Sequence, residues 1–127
     1  MTSRPKQCTP AIRRGRLVKV KQFADTAELI EVDDGLIDAY ITLCVHAGIA
    51  AADVICCARL GQHATGQDHQ GAVTLLQKAD PTLAKELSAL LGMKTAAGYS
   101  DVPASRAKRK QARRAMARLV DAAVLES

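Results

Sequence analysis

The chain has 127 residues, a length typical of one domain, and it is basic, with a formal net charge of +5 at pH 7. Hydrophobic residues make up 48% of it but aromatic residues only 2%, which favours closely packed helices over a β-sandwich. Polar residues interrupt the most apolar stretch and no apolar signal-peptide core follows the N-terminus, so we expect a cytoplasmic protein without membrane contact.

The N-terminal part of the sequence predicts an arm and a first helix. Residues 1–10 contain two prolines and predict a flexible basic arm, and residues 11–127 predict a single helical domain. The first helix is expected from about Ala11 to Glu31, with a turn at Asp33-Asp34-Gly35. Basic residues near its start oppose the helix macrodipole, which indicates either that they serve another purpose or that the helix begins nearer Leu17.

The second predicted helix, from about Leu36 to Leu60, is apolar on nearly every side and is therefore expected at the centre of the fold. Gly48 in its middle costs about 1 kcal/mol relative to alanine, which indicates the close approach of a neighbouring helix. The cysteines of this helix have no CxxC spacing, and in a cytosolic protein they are expected to be buried free thiols. Adjacent Cys56 and Cys57 point in different directions and are not expected to form a disulfide.

Three more helices are predicted after a polar loop over residues 61–70. The third runs from about Asp68 to Ala79, and Asp80-Pro81 is typical of a helix start, with aspartate as the cap. The fourth then ends near Ala97, and Ser105 caps a last helix over about 106–125. No segment alternates clearly enough to predict a strand, so the fold class is all-α, a bundle of four to five helices.

Two charged residues lie on helix faces that should be buried. Asp53 lies within the apolar second helix, and Lys94 lies on the leucine stripe of the fourth. Because a buried charge needs a partner, we predict that Lys94 pairs with Asp53 and that Tyr99 donates a third hydrogen bond. The cluster is either a salt bridge that fixes how two helices dock or part of a catalytic or ligand pocket.

Metal and cofactor signals are weak in this sequence. The three histidines, His46, His63 and His69, are scattered without the spacing of metal ligands. No glycine-rich loop with a lysine is present to bind phosphates. We therefore predict no metal and no cofactor.

The charges are unevenly distributed along the chain. Residues 1–24 carry seven basic side chains and no acidic one, residues 102–127 carry seven basic and two acidic ones, and the segment between is acidic. If the first and last helices are neighbours, the two basic runs would merge into a patch that attracts phosphate backbones. The alternative is a solvated surface that keeps the protein soluble. The candidate residues for nucleic-acid binding are Arg13, Arg14, Arg16, Lys110, Arg114 and Arg118.

Several segments resemble HEPN domains over about residues 15–125. The segment from Asp38 to Asp53 is similar to the central helix of that family, and the segment from Leu90 to Tyr99 and the last helix are similar to the elements that follow it there. HEPN domains are up-and-down helical bundles, commonly dimeric, and many are RNA-cutting toxins or defence proteins. The resemblance implies an up-and-down bundle and a homodimer, and as further partners a nucleotidyltransferase-type antitoxin and RNA.

The resemblance fails at the catalytic motif. Active members carry an arginine, four to six residues and then a histidine in the fourth helix, where this chain has Lys94 and Tyr99, and no histidine follows His69. The usual near-neutral acid–base group is therefore missing, which argues against the usual ribonuclease activity. We favour a non-catalytic protein that binds a partner or dimerises in a toxin–antitoxin or defence context. Two alternatives stay open: a divergent metal-independent ribonuclease that uses Asp53, Lys94 and Tyr99, and a nucleic-acid-binding protein that uses the basic first and last helices.

Overall fold

The computed structural model describes residues 4–127, which fold into five α-helices joined by short connections. The helices are α1 (Pro10–Ile30), α2 (Ile37–Leu60), α3 (His69–Ala79), α4 (Pro81–Tyr99) and α5 (Arg106–Leu125). A 3-10 turn at Asp34–Leu36 precedes α2, and two short strands, β1 (Lys6–Gln7) and β2 (Gln62–His63), form an antiparallel pair. The predicted all-helical class is confirmed, whereas the strand pair was not predicted because two residues are too few to show alternation.

Polar side chains fix the starts of four helices. The side chains of Thr9, Asp68, Asp80 and Ser105 each accept a hydrogen bond from a backbone N–H in the first turn of α1, α3, α4 and α5. These bonds satisfy donors that a helix start leaves without a partner. The capping roles predicted for Asp80 and Ser105 are thereby confirmed.

Helix α2 lies at the centre of the fold, in contact with the four other helices. By length and composition alone, the stretch from Asp34 to Leu60 is apolar enough to cross a membrane, although the sequence predicted no such span. Within the fold, however, 72% of its apolar window is buried. A core helix of a globular protein passes the same test, so this is weak evidence for a membrane span.

Tyr40 is the largest side chain in the core. It is fully buried near the start of α2, and its hydroxyl donates a hydrogen bond to the Glu31 carboxylate at 3.3 Å. Burial raises the pKa of Tyr40 far above its usual value, with a smaller contribution from Cys44. The phenol is therefore held neutral within the packed interior.

Gly48 marks the closest approach of helices around α2. A Cβ atom at this position would lie 2.5 Å from Cδ1 of Leu90 on α4 and 3.3 Å from Cδ1 of Leu119 on α5. Both leucines are fully buried, so neither can swing into solvent to make room. The close packing predicted for Gly48 is confirmed.

We expect Gly48→Ala to lower the free energy of unfolding by about 1–3 kcal/mol, because the added methyl overpacks the core by more than alanine's helix propensity returns. Gly15→Ala and Gly92→Ala are matched controls, since a Cβ at either position meets nothing within 4 Å. Each control is expected to raise stability by up to about 1 kcal/mol. Urea denaturation measures the stability of all three variants. A gain in stability in Gly48→Ala equal to that of the controls would contradict the prediction.

The N-terminal segment is attached to the end of α2. Cys8 forms a disulfide with Cys57, with a Cα–Cα distance of 5.3 Å, and its backbone N–H donates to Gly61. A flexible arm was predicted over residues 1–10, but residues 6–10 are ordered by strand β1, by this disulfide and by the start of α1. Residues 1–3 lie outside the described part of the chain.

The prediction of free thiols is wrong for Cys57 and confirmed for Cys44 and Cys56, which are buried. Burial raises the pKa of each of these two thiols to about 12.

Helices α1 and α5 run in opposite directions along α2. The α5 start lies beside the start of α2, where Ala104 donates to Asp38, and its end lies beside the end of α2, where Arg59 donates to Glu126. The start of α1 is held instead near the end of α2, through the disulfide at its N-terminal side. The two basic runs therefore begin at opposite ends of the fold, and the single merged patch expected for neighbouring helices does not form. The basic start of α5 lies next to the acidic end of α1, where Glu31 lines a shared cleft.

Candidate functional site

The three candidate catalytic residues do not come together. Oδ2 of Asp53 accepts a hydrogen bond from Nε of Arg16 at 2.8 Å, and Nζ of Lys94 lies 3.0 Å from Nε2 of His69. The side chain of Tyr99 lies at the end of α4 and is 84% exposed. The predicted pairing of Asp53 with Lys94 is therefore wrong, and each group has different surroundings.

The Arg16–Asp53 ion pair joins α1 to α2. Asp53 is the one buried charged residue among residues 4–127, with 9% of its surface exposed. Burial raises the pKa of its carboxyl, although the charge of Arg16 and, more weakly, that of His63 oppose this shift. The sequence predicts Arg16 among the candidate residues of a basic surface. Arg16 lies four residues from Ile12 and from Val20 on the apolar stripe of α1, however, and this spacing indicates an arginine that faces inward.

The second polar contact joins the start of α3 to α4. Both His69 and Lys94 are half-buried. If the lysine ammonium donates, Nε2 of His69 must accept and its proton must lie on Nδ1, which is buried and has no hydrogen-bond partner among residues 4–127. Burial lowers the pKa of His69, and the charges of Lys94 and His46 lower it further. The contact thus holds a neutral imidazole beside an ammonium group, a pair with acid–base capacity that the sequence did not reveal because the two residues are far apart in the chain.

The lowered pKa of His69 predicts a loss of stability in mild acid. The unfolded chain takes up a proton at the usual pKa of about 6.5, whereas the folded chain resists it, so the free energy of unfolding falls as the pH drops through this range. We expect the fall between pH 7.5 and 5.5 to be smaller in His69→Gln, whose amide oxygen can still accept from Lys94. Urea denaturation of the wild type and of His69→Gln at several pH values measures it. Parallel pH curves for the wild type and His69→Gln would refute the prediction.

The candidate nucleic-acid-binding residues divide into two separate groups. On α1, Arg16 is occupied by Asp53, Arg13 borders the disulfide, and Arg14 is exposed. On α5, the three candidates line a groove of about 420 Å³ between α4 and α5 together with Glu86. The α5 candidates are Lys110, Arg114 and Arg118. Only this second group shares one surface with room for a ligand.

No family model, no curated protein and no solved structure matches the chain. Within residues 4–127, no group of three or more histidine, cysteine, aspartate or glutamate side chains is placed to hold a metal ion. The class of protein that the structure defines is an all-α helical bundle with a basic groove along its last helix. Its function must therefore be argued from its own side chains.

Proposed function

We propose that this chain is a non-catalytic, HEPN-like, up-and-down helical bundle that acts by binding a partner or a second copy of itself. The observation that carries the proposal is the separation of the candidate catalytic residues. Asp53 is buried and bound by Arg16, Lys94 contacts His69, and Tyr99 projects into solvent at the end of α4. Among residues 4–127, no hydrogen bond or ion pair joins any two of these three side chains, which supports a binding role over hydrolysis.

Exposed aliphatic side chains support the binding role. Leu29 and Val32, at the end of α1, are 82% and 86% exposed. Val32 also borders a groove of about 500 Å³ between α1 and α5. Clustered apolar side chains in solvent are typical of interaction surfaces. We infer a homodimer through this region in the cytoplasm, in a toxin–antitoxin or defence setting in which a nucleotidyltransferase-type antitoxin is a further partner.

The oligomer is tested by light scattering on the purified chain. The expected result is a mass twice that of the chain, and a Leu29→Ser/Val32→Ser variant is expected to be monomeric and still folded. Val18→Ser/Leu125→Ser is the control, because it also removes two exposed apolar side chains, one in the first half of α1 and one at the end of α5, which lies beside the end of α2. A monomeric wild type would remove the homodimer from the proposal.

The absence of catalysis is tested by incubating the purified protein with total RNA, with and without divalent metal ions. The expected result is RNA that stays intact. Cleavage by the wild type that is lost in Lys94→Ala would overturn the proposal and favour an enzyme.

A second candidate function, a divergent metal-independent ribonuclease, is favoured by the contact between Lys94 and His69. The two groups lie 3.0 Å apart, and if the Lys94 ammonium turns from Nε2 of His69 to a phosphate, Nε2 becomes free to accept the proton of a ribose hydroxyl. In this candidate His69 takes the place that sequence analysis gave to Asp53 and Tyr99. It requires that cleavage be lost in both Lys94→Ala and His69→Gln and kept in Tyr99→Phe. Cleavage that survives both substitutions would come from a contaminant.

A further inference from the structure

Helix α5 carries a row of like charges that its own folding does not need. Arg106, Lys110, Arg114 and Arg118 recur every fourth residue, and its first turn contains no acidic residue. Like charges four residues apart destabilise a helix, and cations near its N-terminus oppose the macrodipole. The row therefore reduces the stability of α5, and a binding role would account for it.

Only part of this charge is neutralised within the protein. Arg106 and Arg109 both donate to Asp34, and Arg118 donates to Glu86. The remaining cations of α5 form no ion pair with any of residues 4–127. These are Lys108, Lys110, Arg113 and Arg114, all exposed.

Three of the four unpaired cations, Lys110, Arg113 and Arg114, face two adjoining depressions. The groove of about 420 Å³ between α4 and α5 contains Lys110 and Arg114, and small side chains such as Ala89 and Ala107 also line it. A cleft of about 340 Å³ beside it is lined by Lys110, Arg113 and the two arginines that bind Asp34. Lys110 lines both the groove and the cleft. Successive cations of the row lie about 6 Å apart along the axis, and the whole row spans about 18 Å.

We propose that this surface binds the phosphate backbone of a nucleic-acid strand; we call it the basic face and define it by Lys110, Arg113, Arg114 and Arg118. An extended polyanion matches a linear row of cations bordering a groove, whereas a single small anion would occupy only one part of it. The chain has only three aromatic residues and none lines either depression, so bases are not stacked there. Recognition is therefore independent of sequence, and the affinity falls as salt is added. This inference stands apart from the proposed function, since that function places a protein partner or a second copy of the chain at the end of α1, whereas this one places a nucleic-acid strand on α5.

The test measures the affinity of the full chain for labelled single-stranded RNA and single-stranded DNA of equal length over a salt series. Lys110→Gln/Arg113→Gln/Arg114→Gln is expected to weaken binding at least tenfold and to reduce the slope of log affinity against log salt by about 0.7 for each lost contact. The matched control is Arg13→Gln/Arg14→Gln/Lys19→Gln, which removes the same charge from α1 at the other end of the fold. The control is expected to bind nearly as well as the wild type.

Stability separates lost contacts from lost structure. Because the α5 substitutions relieve repulsion, that variant is expected to unfold at an equal or higher urea concentration than the wild type. Binding of RNA, DNA or both supports the proposal, and the strand that binds with the higher affinity identifies the ligand. Equal weakening by the two variants would overturn it, because net charge alone would then explain binding. So would binding to vesicles of anionic phospholipid with no binding to either strand.

Discussion

Reduction of the Cys8–Cys57 disulfide is expected to lower the free energy of unfolding by about 4 kcal/mol. The two cysteines are 49 residues apart, and the estimate comes from the chain entropy that a loop of this length withdraws from the unfolded state. Urea denaturation with and without a reducing agent measures the effect. Cys8→Ser is the control: it should match the reduced wild type and show no response to the reducing agent. A wild type that is equally stable in both conditions would contradict the prediction.

Thiol counting provides an independent check on the same bond. Under denaturing conditions without reduction, two of the four cysteines, Cys44 and Cys56, are expected to react. Disulfides persist in oxidising environments, whereas the sequence predicts a cytoplasmic protein. Alkylation of thiols at the moment of cell lysis therefore tests both statements: a count of two would argue against a reducing cytoplasm, and a count of four would agree with it.

Arg16→Met is expected to lower the free energy of unfolding by about 3–5 kcal/mol, since it leaves the buried Asp53 carboxylate without its partner. Replacing both residues, as Arg16→Met/Asp53→Leu, is expected to restore most of the loss, because well-packed apolar side chains replace a buried ion pair at little cost. Urea denaturation of the two variants measures both effects. Arg14→Met is the control, because Arg14 is exposed and forms no ion pair with the described residues.

The pH dependence of this variant has a defined sign. Burial already raises the pKa of Asp53 against the charge of Arg16, and without Arg16 the pKa rises further. A raised folded-state pKa gives stability that is present in acid and lost as the pH rises through that pKa. The deficit of Arg16→Met relative to the wild type is therefore expected to be smaller at pH 4.5 than at pH 7.5. A deficit no larger than that of Arg14→Met at either pH would mean that water reaches Asp53.

The helices were predictable because their signals are local. The caps Asp80 and Ser105, the apolar length of α2 and the glycine in its middle each depend on residues within a few turns of one another. The close approach at Gly48 could be predicted from the destabilising effect of a glycine within a helix. The leucines that face it could not be identified from the sequence.

The candidate site was less predictable because its contacts depend on how the helices are rotated and directed. Periodicity placed Asp53 on an inward face but did not say which helix lies opposite, so Lys94 was chosen where the structure has Arg16. Whether the two basic runs merge into one patch depends on the directions of α1 and α5, and the amino-acid composition does not determine those directions. The disulfide joins one cysteine in a proline-rich segment to another in an apolar helix, a pairing without any local pattern.

The buried phenol of Tyr40 gives the protein an internal spectroscopic reporter. The chain has no tryptophan and two tyrosines, of which Tyr99 is largely in solvent. The tyrosine bands of the near-ultraviolet circular dichroism should therefore come chiefly from Tyr40, whose ring is buried, beside a separate contribution from the Cys8–Cys57 disulfide, while the far-ultraviolet signal reports the helices. A substitution that abolishes the first signal and spares the second has produced a molten globule and not an unfolded chain. Each of the variants can thus be sorted by which level of its structure was lost.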